Sequence, residues 1–199
     1  MKSTGNHRWR EVCVLAGVPG SVLLSWLAGH LEFDFSGAAR QPWVLNWGVG
    51  AFYALTVLCP LAWCRSLSWR WLLPNIVLSV FAWHWAVQIA SEGYDDSSPA
   101  SLRFLLRSTF SGFFGAVLVA VVPLARSRQP HWERFLGIIG LVGGVCGLQM
   151  GGLCLWNFGL GYWLGMAGWQ LAVTVLLLYG TAPQRAGNSA FWPAPPQLR

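Results

Sequence analysis

Between Val12 and Gly180 the chain consists of six long apolar runs, and its charged residues are gathered almost entirely in the connectors between them. A run of ~20 apolar residues is what an α-helix needs to cross the ~30 Å hydrocarbon layer of a bilayer. Within that layer every backbone N–H and C=O must find its partner inside the segment, so such runs are helical. The runs cover residues 12–31, 43–63, 71–90, 110–125, 135–155 and 160–180. The fourth reaches full length if it begins near Leu102, with Arg103 and Arg107 snorkelling outward. The expected fold is an all-α polytopic membrane domain of six transmembrane helices over residues 1–180, followed by a disordered, proline-rich cytoplasmic tail over 181–199.

Composition supports this and excludes other classes. Charged residues make up 10% of the chain, against roughly 25% in a soluble protein. The net charge of +6 comes from basic residues scattered among the connectors, without the basic stripe or interleaved aromatics of a nucleic-acid-binding surface. Lys2, Arg8 and Arg10 before the first run imitate a secretory signal, but that run is ~20 residues long and no small-residue cleavage site follows. The triplet Leu27-Ala28-Gly29 precedes His30, where a lipoprotein signal would need cysteine. The segment is therefore read as the first membrane helix.

Ten of the thirteen Lys and Arg residues fall on one side of the predicted spans, and Arg40, Arg103 and Arg107 fall on the other. By the positive-inside rule both termini are cytoplasmic, in what is expected to be a bacterial inner membrane. Glu32, Asp34, Glu92, Asp95 and Asp96 then lie outside. An internal echo links Pro60-Leu61-Ala62, Arg65, Trp69, Leu73 and Ile76 to Pro123-Leu124-Ala125, Arg128, Trp132, Leu136 and Ile139, 63 residues later. Tandem helical hairpins would produce it, and so would the common placement of Trp, Arg and Pro at helix ends; the second explanation weighs more.

The fifth run contains GIIGLVGGVCGLQMGG, in which seven of sixteen residues are glycine. In a bilayer small residues mark a face where another helix comes close. Gly140, Gly144, Gly147 and Gly151 fall within about 60° of one another on a helical wheel, with Gln149 opposite. On the sixth run Gly161, Gly165 and Gly168 share a face, with Gln170 and Thr174 behind. Only Trp156, Asn157 and Phe158 join these two runs, so they are antiparallel neighbours. The two glycine faces are expected to pack together, leaving Gln149 and Gln170 pointing in opposite directions, one toward a cavity and the other toward lipid or a partner chain.

Ionisable residues within spans are the natural functional candidates, and His84 is the one that qualifies. With Gln88, Asn46, Tyr53 and Trp85 it forms a candidate solute site in the outer half. The competing explanation, a neutral histidine packed among indoles and hydrogen-bonded locally, is the stronger one. Asn46, Gly50 and Tyr53 share a face of the second helix, as Ser108, Gly112 and Gly115 do on the fourth. No second histidine at similar depth supports haem, no carboxylate or thiolate completes a metal site, and no cofactor is expected. The five cysteines, without a CxxC pair, read as small packed residues. Ser111-Gly112 invites comparison with intramembrane serine proteases, but the sixth run has no histidine to activate the hydroxyl, which disfavours an enzyme.

Two functions remain close. A small permease or solute-binding membrane subunit for an uncharged, largely apolar molecule stands slightly ahead, since the spans carry no charge for an ionic substrate. A non-catalytic accessory subunit, docking another membrane protein or a second copy through the glycine-rich fifth and sixth helices, is the alternative. The number of spans resembles that of many small permeases, by architecture and without a motif.

Overall fold

The computed structural model describes residues 5–36, 47–65, 68–91, 102–127 and 129–182, and all regular structure among them is helical. We number six helices: α1 (Gly5–Ser36), α2 (Val49–Cys64), α3 (Trp69–Ser91), α4 (Leu102–Arg126), α5 (Trp132–Trp156) and α6 (Phe158–Gly180). All but α2 are long and apolar enough to cross a membrane. The described part of α2 is shorter, and the predicted start of that span, 43–46, lies outside the described residues, as do the connector at 92–101 and the tail beyond Ala182. The fourth helix does begin at Leu102. The outer surface is apolar, with Leu73, Leu106, Leu141, Val145 and Leu164 all exposed. That inverts the soluble pattern and suggests an integral membrane protein.

Each helix packs on its sequence neighbours and α6 closes on α1, so the six form a ring in chain order. The tightest seam is α4 against α5, where backbones meet without side chains between them. A methyl group added to Gly112 would stand 2.8 Å from the Gly147 Cα and would collide with the Gly143 carbonyl. One added to Gly147 would meet the Ser108 carbonyl, and one on Gly140 would stand 2.7 Å from the Phe113 ring. The glycine face of α5 therefore packs on α4, not on α6 as expected from its wheel. Gly161 and Gly165 do face α5, but against Leu153, Cys154 and Met150. Gly168 is exposed with nothing within 4 Å, so it takes no part in packing.

Asn157 alone separates α5 from α6. Its extended backbone ends α5 with an N–H···O bond to Leu153, and its side chain accepts from the Leu160 N–H at 3.0 Å, capping α6. In α2 the turn Ala54–Leu58 is π-helical. Pro60 explains it, because proline has no N–H to offer the carbonyl four residues back and its ring crowds that oxygen. The carbonyl concerned belongs to Thr56, and α1 approaches it at Gly17, where any Cβ would strike it. Pro123, the counterpart of Pro60 in the internal echo, lies instead within an uninterrupted α-helix.

One end of the ring is fastened by polar contacts. Arg65, 5% exposed, donates to Glu11 Oε1 at 3.1 Å, to the Leu178 carbonyl at 2.8 Å and to Thr181 Oγ1 at 3.3 Å, which joins α2 to α1 and α6. Arg10 lies over Trp63 and Arg126 over Trp71 at the same end. Leu58, Leu61, Leu124, Ile139 and Leu177 fill the adjacent interior. The opposite half of the ring is less filled, and the candidate site lies there.

Replacing Gly147 by Leu is expected to force α4 and α5 apart and to lower stability by about 1–3 kcal/mol or more. Gly152→Leu, on the exposed face of the same helix with nothing within 4 Å, should stay within about 0.5 kcal/mol of the parent. Thermal unfolding in mild detergent compares the two, and equal losses would contradict the seam.

Candidate functional site

A cavity of about 220 Å³ lies inside the ring, lined by α2 to α6. It runs from the end where Val87, Phe104, Cys154 and Tyr162 sit to the middle of the bundle, where Tyr53 and Gln170 line it. Its two sides differ in chemistry. Tyr53, Trp83, Tyr162 and Trp169, from α2, α3 and α6, supply aromatic rings. Ser108, Gly112 and Gly115 of α4 with Gly147 and Gly151 of α5 supply small residues, largely the same ones that form the α4–α5 seam. Among the described residues, no charged side chain lines it.

The phase of each helix places these groups. On α3, Ala82, Trp83, Ala86 and Val87 form an inward stripe of one-turn spacing. On α6, Met166, Trp169, Gln170, Val173 and Leu177 are buried, while Leu164, Gly168 and Leu171 face outward. Gln170 therefore points inward because it shares the phase of the α6 core. It stands about 18 Å from the start of the helix, close to its midpoint.

Several lining polar groups are satisfied locally. Ser79 Oγ donates to the Gly50 carbonyl at 3.1 Å and Trp169 Nε1 to the Gly112 carbonyl at 3.1 Å. Ser111 Oγ, the candidate nucleophile, donates to the Ser108 carbonyl at 2.9 Å. Thr174 Oγ1 donates to the Gln170 backbone carbonyl at 2.6 Å, so its 2.9 Å contact with Tyr53 has the phenol as donor. The side-chain amide of Gln170 differs. It is 0% exposed, and neither its oxygen nor its nitrogen has a hydrogen-bond partner among the described residues.

The expected site residues are only partly assembled here. Tyr53 lines the cavity. His84 is rotated off the inward stripe of α3 and stacks on Trp47, with ring centroids 3.8 Å apart and planes at 11°. Gln88 is half-buried away from the lining, Trp85 is exposed, and Asn46 lies outside the described residues. Of the two glutamines, Gln170 faces the cavity and Gln149 is exposed on α5 beside Val145 and Leu148. Polar residues of the outer half do not mark this interior, which is built largely from aromatics and glycines. The signal available for it was the inward phase of Trp83 and Trp169. Among the described residues no group of three or more His, Cys, Asp or Glu gathers as a metal site.

No protein-family model matches the chain, and neither a curated protein nor a solved structure matches it. The geometry of the cavity is therefore the ground for a functional reading.

Because a buried amide without partners is unfavourable by about 1–3 kcal/mol, Gln170→Leu should stabilise the ligand-free protein by a similar amount. Chemical or thermal unfolding of the purified, delipidated chain measures it. A loss of stability would show that the amide is already engaged.

Proposed function

We propose that this protein is an integral membrane protein that binds one small, uncharged, largely apolar molecule in the ring cavity, as a permease or a solute-binding membrane subunit and without catalysis. The observation that carries this reading is the buried Gln170 amide, without a partner among the described residues, in an otherwise apolar cavity at mid-bundle. Such a group gains most from an occupant that completes its hydrogen bonds, and an apolar enclosure excludes a charged one. The test is native mass spectrometry of the chain purified in mild detergent. A methyl added to Gly115 would sit 3.5 Å from the Trp169 ring, an ordinary contact, so Gly115→Leu should fold and project into the cavity. The parent should carry a small-molecule adduct and Gly115→Leu should lack it. Identical small-molecule content in the two folded proteins would overturn the reading.

A second reading, an accessory subunit, draws on exposed Gln149, since an amide on a lipid-facing surface favours a partner helix that can bond it. The same spectra separate the two, because that reading expects a stoichiometric partner chain and no adduct.

We also propose six crossings with both termini cytoplasmic, in a bacterial inner membrane. The asymmetry of Lys and Arg supports this, as does the grouping of Arg10, Arg65 and Arg126 with Trp63 and Trp71 at one end. Reporter fusions check it. A phosphatase active only in the oxidising exterior should be silent after Arg199 and active after Asp96; activity at Arg199 would refute the topology.

A further inference from the structure

We propose that the cavity selects planar, uncharged ring molecules carrying a cis-amide (lactam) edge, with Gln170 as the group that reads this edge. The inference rests on the solute-binding reading above and narrows it to a chemical class.

Shape comes first. The aromatic side of the cavity is a continuous arc: Tyr162 meets Trp83 at 6.3 Å and 80°, Trp83 meets Trp169 at 6.4 Å and 68°, and Trp169 meets Tyr53 at 6.2 Å and 58°. Each ring is held against the next in a tilted or edge-on contact, which limits its freedom to turn away. Further contacts anchor the arc, with Trp169 bonded to the Gly112 carbonyl and Tyr53 to Thr174. The small-residue side, Gly112, Gly147 and Gly151, has no side chain to move. Fixed aromatic rings facing a backbone wall make a slot suited to a flat ring. The volume of about 220 Å³ is near seven waters at ~30 Å³ each, and lies below the ~300–1,000 Å³ of sites for drug-sized ligands. That fits one or two fused rings.

Chemistry follows from the amide. A glutamine side chain presents an acceptor oxygen and a donor nitrogen side by side in one plane. Both are buried and without partners among the described residues, and Gln170 is one of the residues that line the slot at mid-bundle. A ligand edge that satisfies both must place its own donor beside its own acceptor in the same plane, as the N–H and C=O of a lactam do. A lone carbonyl, which can only accept, leaves the amide oxygen unbonded in apolar surroundings, which carries the full desolvation cost.

The experiment uses the full chain in lipid nanodiscs and equilibrium dialysis against empty nanodiscs. The probes are isoquinolin-1(2H)-one, its N-methyl derivative and naphthalene. The lactam should bind about tenfold or more tightly than its N-methyl derivative, as expected for losing at least one buried hydrogen bond. In Gln170→Leu the two should bind within about twofold of each other, since the group that distinguishes them is gone. A preference that persists in the variant would come from the bulk of the methyl group and would overturn the proposal. Equal binding of all three probes to the parent would also overturn it, while leaving solute binding in place. Failure of all three to bind the parent, with no adduct in its native mass spectrum, would sink the solute-binding reading itself. If Gln170→Leu does not fold, Gln170→Met serves in its place, and the parent comparison stands by itself.

Discussion

Helices in a bilayer gain little from hiding apolar surface from one another, because lipid tails are equally apolar. They associate where backbones can come close, and in this chain that place is the α4–α5 seam. Ser108, Gly112 and Ala116 on one helix meet Gly143, Gly147 and Gly151 on the other, both sets spaced by four residues. The seam has a second consequence. Because Gly112, Gly147 and Gly151 also border the ring interior, that side of the interior contains backbone where side chains would otherwise stand. The residues that let α4 and α5 touch thus leave the cavity open.

The opposite end works by different physics. The Arg65 side chain is buried, and its Nε and Nη2 donate to a carboxylate, a carbonyl and a hydroxyl. Those three partners come from α1 and from the end of α6, so one guanidinium sets where α1, α2 and α6 stand relative to one another. The π-helical turn at Ala54–Leu58 contributes to the same junction by bringing the Thr56 carbonyl to Gly17. A ring fastened by charge at one end and filled by Leu58, Leu124 and Leu177 above it can hold its walls apart at the other.

Much of this was legible in the residues. The uncharged runs dictate helices, the short link around Asn157 dictates an antiparallel pair, and the glycines of α5 mark a packing face. A helical wheel, however, gives the phase of a face and not the identity of its neighbour. Chain proximity points to α6 as the partner of the α5 glycines, whereas the structure pairs them with α4. The matching four-residue spacing of Ser108, Gly112 and Ala116 was the better guide, since a stripe of small residues packs closest against another with the same repeat. The same limit applies to the candidate site. Polarity singles out His84, whereas one residue of helix rotation places Trp83 inside and His84 against Trp47.

Gln170 is one of the places where local rules and the whole fold disagree. The hydroxyl of Thr174 returns to the backbone of its own helix, and the phenol of Tyr53 donates to that hydroxyl. This chain of bonds ends at the Gln170 carbonyl and does not reach its side-chain amide. A leucine would satisfy the inward phase of α6 between Met166 and Val173 at no polar cost, so helix packing gives no reason for an amide there. Departures of this kind in an otherwise consistent fold concentrate where function imposes a requirement that stability does not. The amide sits on a rigid helix midpoint, between aromatic rings held by one another and a backbone wall. A side chain carried on a rigid element has less freedom to lose when a ligand is bound, which lowers the ordering cost of recognition.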